Sequence, residues 1–183
     1  MNTYESGTIT RVSVKGGLPD NAKVTRFGDL KHLFGDVENT SYRDDDIVYF
    51  VERVAAADSQ TPEFSITTIM PGNVSGECFF TRGHDHKPEK GETYFCIAGQ
   101  GGLIVEKDGG SEWLPMSPGD VIQLKSGWAH RTVNTGDTPL IFVGQYITPF
   151  EVDYGISERG FNMKVFKNES NNVKLTVQGR EVG

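Results

Sequence analysis

The sequence lacks the features that mark several common classes of protein. Its 183 residues contain no apolar run near the roughly 20 residues that a transmembrane helix needs. Met1 to Thr10 lack the apolar core of a signal peptide. No run of lysine and arginine could form the basic patch of a nucleic-acid binder, and the formal net charge is -7. We therefore expect a cytoplasmic protein that contacts neither membranes nor nucleic acids.

Cysteine and histidine are also scarce. The two cysteines, Cys78 and Cys96, sit in apolar runs typical of strands, so we expect buried free thiols rather than a disulfide or a metal pair. There are four histidines, and His32 falls in a possible N-terminal helix, where a surface position is the simplest interpretation. The other three histidines are the candidates for chemistry.

Glycine, in contrast, is frequent, with 22 copies, which favours a fold with many tight turns. From residue 47 onward, short segments rich in Val, Ile, Tyr and Phe alternate with turn residues at a spacing of roughly 8 to 12 residues. The strands predicted from this pattern cover residues 47–54, 64–70, 78–81, 93–97, 102–105, 120–124, 131–133 and 140–146. The polar tail after Val165 is predicted to add an edge strand.

The segment 25–36 carries the one helical signal, because Phe27, Leu30, Leu33 and Phe34 fall on one helical face. No repeat, low-complexity tract or linker divides the chain. The pattern therefore predicts an all-β protein, a sandwich or barrel, with a short N-terminal helical segment. We expect a single domain over residues 1–183, with its core at about 45–166.

Three histidines and a glutamate are placed where strands could bring them together. His84 and His86 are two residues apart, so in a strand both side chains project to one face. Glu92 follows a turn-forming connection and begins the next strand, so a hairpin would return it to the histidines. His130 comes from a second strand-rich segment. Three imidazoles and a carboxylate suit a borderline divalent ion and leave coordination positions open for substrate oxygens.

These residues lie in two stretches that resemble the two cupin motifs, residues 83–102 and residues 118–134. The runs TRGHDH, GETY, GQGG and WAHRTVNTGD, with the later DYG, are similar to those of the cupin-type glucose-6-phosphate isomerases. The resemblance covers residues 45–166. It implies a cupin double-stranded β-helix, or jelly-roll, barrel and an enzyme that interconverts glucose 6-phosphate and fructose 6-phosphate.

The resemblance also implies roles for particular residues. His84, His86, Glu92 and His130 would bind one divalent metal ion per subunit; iron is favoured, and manganese, nickel and zinc accept the same ligands. Glu92 and Tyr146 would be catalytic. The contacts to the sugar phosphate would come from Thr67, Thr81, Gly83 and Tyr94. Some relatives carry a histidine where this chain has Val152, so no role for such a histidine is expected here.

Several alternatives remain open at the level of sequence. A carboxylate on a cation is a poor base, so Glu92 would have to shift from the metal, whereas a hydride shift avoids this difficulty. A cupin non-haem iron dioxygenase or a non-catalytic sugar-binding cupin would use the same ligands, and mannose 6-phosphate is a further possible substrate. The negative net charge repels phosphate, so local cations such as Arg82 or Lys87 are needed. Family resemblance suggests a homodimer.

Overall fold

The computed structural model describes residues 2–6, 9–13, 17–38, 40–56, 61–149, 151–168, 170 and 172–182, and of residues 2–13 only the backbone. Strands dominate this part of the chain. In chain order they are β1 (Asn2–Ser6), β2 (Ile9–Ser13), β3 (Lys23–Arg26), β4 (Ile47–Val54), β5 (Glu63–Ile69), β6 (Asn73–Val74), β7 (Glu77–Cys78), β8 (Asp85–Lys87), β9 (Glu92–Ala98), β10 (Gly101–Lys107), β11 (Gly110–Met116), β12 (Val121–Leu124), β13 (Ala129–Asn134), β14 (Leu140–Tyr146), β15 (Glu151–Asp153), β16 (Met163–Lys167), β17 (Val173–Val177) and β18 (Arg180–Val182).

Helices are short. The α-helix α1 (Phe27–Leu30) continues into a 3-10 turn at Lys31–Leu33, and α2 (Gly155–Arg159) follows β15. The helical segment predicted at 25–36 is therefore present, although residues 25 and 26 still belong to β3. Phe27 and Leu30 are fully buried, as the helical pattern requires. No helix among the described residues is long and apolar enough to cross a membrane.

The strands form antiparallel sheets. A six-stranded sheet has the order β12-β9-β14-β5-β4-β3, and a three-stranded sheet has the order β11-β10-β13. β13 is buried along its whole length, so it lies inside the molecule. The all-β prediction with a short N-terminal helical segment is confirmed, and the single-domain limits stay a prediction.

Most predicted strands agree with the structure, and β4 and β14 agree residue for residue. The strand predicted at 78–81 was wrong beyond Cys78, because β7 ends there and the chain crosses to pair with β13 through one bridge at Phe80. β11 was missed because it contains Pro115, which normally argues against a strand. Its edge position in the three-stranded sheet explains why proline is tolerated there.

The C-terminal tail and the cysteines follow their predictions. A five-stranded sheet, β18-β17-β16-β7-β6, contains the tail, and β18 forms its edge. Cys78 and Cys96 are both buried and free. The molecule therefore needs no covalent cross-link between its sheets.

Candidate metal centre and active site

Three histidines and a glutamate from distant parts of the sequence meet inside the molecule. We call His84, His86, Glu92 and His130 the ligand cluster; one potential ligand atom from each lies within 4.8 Å of every other. Two ligand atoms about 2.1 Å from one ion can be up to about 4.2 Å apart. The cluster is therefore close to the size that a single metal ion requires.

The backbone of two segments holds the ligand cluster together. The amide of His84 donates to the carbonyl of His130 at 3.0 Å, and the amide of His130 donates back at 2.9 Å. His86 lies two residues further along, in β8, and its side chain returns to the same side. The Nε2 atoms of His84 and His86 are 2.9 Å apart. The two-residue spacing therefore does what the sequence predicted.

Gly83 lets the chain enter this arrangement. Its φ is +81°, in the left-handed region that glycine adopts without strain. A Cβ at this position would lie 2.6 Å from the ring of Phe161 and 3.0 Å from Cβ of Arg131. Both the backbone angle and the close packing therefore exclude a larger residue immediately before the first ligand.

The protonation states of the ligand cluster suit a cation. Burial, with help from the charge on His130, lowers the pKa of His84 to about 3, and burial also lowers the pKa of His86. Burial favours protonation of Glu92, but the surrounding imidazoles outweigh it and hold its pKa at about 2. The carboxylate is therefore ionised at neutral pH, beside the neutral imidazoles of His84 and His86, and this combination suits a divalent metal.

His130 shows most directly that a cation fits here. Its Nδ1 lies 3.1 Å from the carbonyl oxygen of Trp128, which fixes the ring and turns Nε2 toward Oε2 of Glu92, 2.9 Å away. Burial opposes protonation of this ring, yet the hydrogen bond and charge of Glu92 outweigh it and raise the pKa of His130. At this distance the lone pairs of the two atoms would repel each other unless they share a proton or bind the same metal ion. The donor set fits a metal with nitrogen and oxygen ligands.

The two oxygens of Glu92 have different surroundings. Oε2 lies 2.9 Å from Nε2 of His130 and 3.7 Å from Nε2 of His86, and it accepts a hydrogen bond of 2.9 Å from the hydroxyl of Tyr94. Oε1 lies on the side of Gly144, in β14. The carboxylate therefore turns one oxygen toward the other ligands and the other toward a cavity.

That cavity opens between the two sheets and carries every substrate-side residue that the sequence predicted. Its lining includes the predicted contacts Thr67, Thr81, Gly83, Tyr94 and Tyr146 together with ligands of the cluster. The hydroxyl of Thr81 accepts a hydrogen bond of 3.0 Å from the amide of Thr132, so its proton is free to turn toward a ligand. The structure thus brings the predicted residues to one place.

Known proteins share this chain's sequence over most of its length. The family described as "Glucose-6-phosphate isomerase (GPI)" matches residues 24–179. This chain belongs to that family. It is 40% identical to the glucose-6-phosphate isomerase of Thermococcus kodakarensis over 177 residues, covering 92% of this chain and 93% of the relative. It is 38% identical to the corresponding protein of Thermococcus onnurineus over 180 residues, covering 94% and 95%.

Solved structures are less similar to this chain than the sequence relatives are. The oxalate decarboxylase of Lactobacillus farciminis is 20% identical and superposes with a TM-score of 0.48, over 63% of this chain and 38% of that one. The assignment of this chain to the isomerase family rests on the sequence relatives alone.

The sequence analysis missed two cationic residues that line the cavity, Lys23 and Arg53, and it named Lys87, which does not line it. Lys23 and Arg53, from the neighbouring strands β3 and β4, line the cavity, as does Arg82. Lys87 lies outside the cavity lining and pairs with Asp153 instead. Strand alternation could have found Arg53, because Tyr49, Val51 and Arg53 share one face of β4. Lys23 carried no such signal, because β3 has only four residues.

Proposed function

We propose that this protein is a metal-dependent isomerase that interconverts glucose 6-phosphate and fructose 6-phosphate. The observation that carries the proposal is the ligand cluster, which opens into a cavity lined by hydroxyl groups and cations in a chain of the glucose-6-phosphate isomerase family. A divalent metal bound there would act as a Lewis acid on the oxygens at C1 and C2 of the open-chain sugar. Iron is the metal we favour, with manganese, nickel and zinc as alternatives.

Glu92 is the candidate for moving the proton between C2 and C1. Its Oε2 belongs to the ligand cluster, whereas Oε1 faces the cavity at Gly144. This division supports a role in which one oxygen stays with the ligands while the other takes up and returns a proton. Exchange of the transferred hydrogen with deuterated water distinguishes this route from a hydride shift, which would retain it.

Tyr146 is the candidate hydrogen-bond donor to the sugar. It pairs with Glu92 across the sheet and lines the cavity. Burial raises the pKa of Tyr146, so the hydroxyl keeps its proton at neutral pH and can donate to a sugar oxygen. In this role the tyrosine would lie beside the carbons that react.

The phosphate is proposed to meet Thr67, Thr81 and Gly83, with positive charge from Arg53 and Arg82. Arg82 is held in place because its guanidinium donates to the carbonyl of Asp29 at 3.0 Å. The predicted phosphate contact of Tyr94 stays a prediction, since its hydroxyl donates to Glu92. Cations are needed here because the net charge of -7 repels a phosphate at long range.

The expected homodimer and cytoplasmic location belong to the same proposal. The outward face of the six-stranded sheet exposes Ile97 and Val121, at 46% and 57% of their surface. Exposed aliphatic side chains on one sheet face support pairing with a second copy. Cell fractionation would test the location, and finding the protein outside the cytoplasm would contradict it.

One assay tests the reaction. The purified protein is stripped with a chelator, and conversion of fructose 6-phosphate to glucose 6-phosphate is followed with a coupled dehydrogenase after adding iron, manganese, nickel or zinc. We expect activity to return with metal and to be lost in His84→Ala and Glu92→Ala. His32→Ala is the matched control, because His32 lies in the exposed 3-10 turn.

Inactivity with every metal, despite one bound ion per chain, would contradict the isomerase proposal. Oxygen consumption by the iron form would then favour the cupin dioxygenase. Binding of a phosphosugar without turnover would favour a non-catalytic cupin.

A further inference from the structure

Gly144 makes a gap in the wall of the cavity. It lies on β14 between Phe142 and Tyr146, whose side chains project to the same side of the strand, and all three residues line the cavity. The register places Ser65 on one side of Gly144 and Tyr94 on the other. Two small residues, Ser65 and Gly144, therefore stand side by side in the wall of the cavity, between the large side chains of Phe142 and Tyr146.

The fold itself does not require glycine at this position. The φ angle of Gly144 lies outside the left-handed region, so its backbone is open to other residues. An added Cβ would lie 3.5 Å from Oγ of Ser65, 3.7 Å from Oε1 of Glu92 and 3.8 Å from Cε1 of Tyr94, which are ordinary contacts. By contrast, a Cβ at Gly101 would lie 2.2 Å from the carbonyl oxygen of Val133.

A glycine inside a strand has a cost, because it leaves more conformational freedom to the unfolded chain and provides no side chain to pack. Since neither backbone angle nor crowding explains Gly144, the space above it is the feature that remains. Glycine in a strand often marks a place where a ligand approaches the backbone closely. The ligand would pass directly beside Oε1 of Glu92.

We propose that this space, the Gly144 slot, receives the C1–C2 end of the sugar, and that the absence of a side chain at Gly144 keeps the slot open. The slot is bounded by the hydroxyl of Ser65, Oε1 of Glu92 and the ring of Tyr94. The inference rests on the proposed isomerase function and adds where the reacting carbons lie. A side chain at position 144 would occupy the space proposed for C1 and C2.

The proposal predicts an unusual separation between stability and function. In Gly144→Ala, the melting temperature should stay the same or rise, because the new methyl group makes only ordinary contacts. Metal affinity should stay within about twofold, since the contacts of the ligand cluster use Oε2 of Glu92. kcat/KM should fall about tenfold or more, because one added methyl group in a fitted site has an effect of that size. Gly144→Val should lower it further.

Gly110→Ala is the matched control. Gly110 begins β11, has no left-handed φ and lies outside the cavity lining. We expect this variant to keep wild-type kcat/KM and metal affinity. Calorimetric titration of the manganese-loaded proteins with fructose 6-phosphate provides a second readout, the apparent affinity for the equilibrated sugar phosphates, which does not depend on the rate of turnover. Gly144→Ala should bind at least about tenfold more weakly.

The possible outcomes distinguish failure of the Gly144 slot from failure of the isomerase proposal. Wild-type kcat/KM and fructose 6-phosphate affinity in Gly144→Ala would overturn the slot and leave the isomerase proposal standing. An inactive wild type would overturn the isomerase proposal, and the titration would then decide the slot alone. Weaker binding in the variant supports the slot, whereas equal binding, or binding to neither protein, overturns it.

Discussion

At the scale of the residue, Arg131 stands out because its charge is almost wholly buried, at 3% exposure. Its guanidinium stacks 4.1 Å from the ring centroid of Phe80 and 4.6 Å from that of Phe161. Nε and Nη2 both donate to the carbonyl of Arg82, at 3.2 and 2.8 Å. Burial lowers the pKa of Arg131 to about 10, so it stays charged at neutral pH. Arg131 thus holds the segment that leads into the first metal ligand.

We predict that Arg131→Met lowers the free energy of unfolding by about 1–3 kcal/mol, because the half-buried carbonyl of Arg82 loses both of its donors. We also expect metal affinity to fall about tenfold or more, because groups behind the ligands hold them in position. Thermal unfolding and competition with a chelator measure the two effects.

Lys164→Met is the control for Arg131→Met. This substitution also leaves a buried group without a partner, because Nζ of Lys164 lies 2.9 Å from the buried carboxylate of Glu77. The pair belongs to the C-terminal sheet, away from the ligand cluster. The control should lose stability and keep its metal affinity. Equal loss of metal affinity in both variants would show a general effect of destabilisation.

At the scale of the element, the six-stranded sheet has two faces with different roles. Glu92 and Tyr94 face the cavity from β9, so strand alternation turns Phe95 and Ile97 outward. Val121 of β12 pairs with Phe95 and is also exposed. One sheet therefore presents the site on one side and an apolar surface on the other.

We predict that the wild-type protein is a dimer in solution and that Ile97→Lys makes it monomeric, because a charge on this face would be buried without a partner. Light scattering coupled to gel filtration measures the mass. Val173→Lys is the control, since Val173 is 43% exposed on a strand of the other large sheet. A monomeric wild type would contradict the proposed dimer, and dissociation of both variants would argue against this particular face.

At the scale of the whole molecule, the ligand cluster connects separate sheets. Glu92 belongs to the six-stranded sheet, His130 to the three-stranded sheet and His86 to the β8–β15 pair. A metal ion bound by all of them would stabilise the folded state, by about 4 kcal/mol at a free concentration 1,000 times its dissociation constant. Removal of the metal should therefore lower the melting temperature.

We predict that the metal-free protein loses stability as the pH falls below about 6.5. The pKa of His84 is 6.5 in the unfolded chain and is lowered to about 3 in the folded state. Between pH 6.5 and pH 3 the unfolded chain therefore binds more protons, so a fall in pH shifts the equilibrium toward unfolding. The lowered pKa of His86 acts in the same direction, and the raised pKa of His130 opposes it. One such group corresponds to at most about 2 kcal/mol at pH 5.

Chemical denaturation of the metal-free protein at pH 7, 6 and 5 measures this slope. In His84→Gln, position 84 no longer titrates, so the slope should be shallower. An unchanged slope in this variant would mean that another group controls acid stability.

The sequence by itself predicted the four residues that meet in the ligand cluster and most of the strands. The two-residue period of a strand places His84 and His86 on one face, and enrichment in Val, Ile, Tyr and Phe predicted β4 and β14 residue for residue. Short-range geometry is enough for the His84–His86 pair and for these strands, because each depends only on neighbours along the chain. Glu92 and His130 were joined to that pair through the resemblance to the cupin motifs. The same local reasoning failed at Phe80, where the chain leaves one sheet for another.

Only the tertiary structure decided which residues share the cavity. Arg53, Ser65 and Gly144 come from different strands, and their side-by-side order follows from the pairing of β4 with β5 and of β5 with β14. The separate surroundings of the two oxygens of Glu92 likewise depend on Gly144, which local sequence does not connect to it. Strand pairing is a long-range choice, set by which faces bury together, so the slot beside the carboxylate became visible only in the fold.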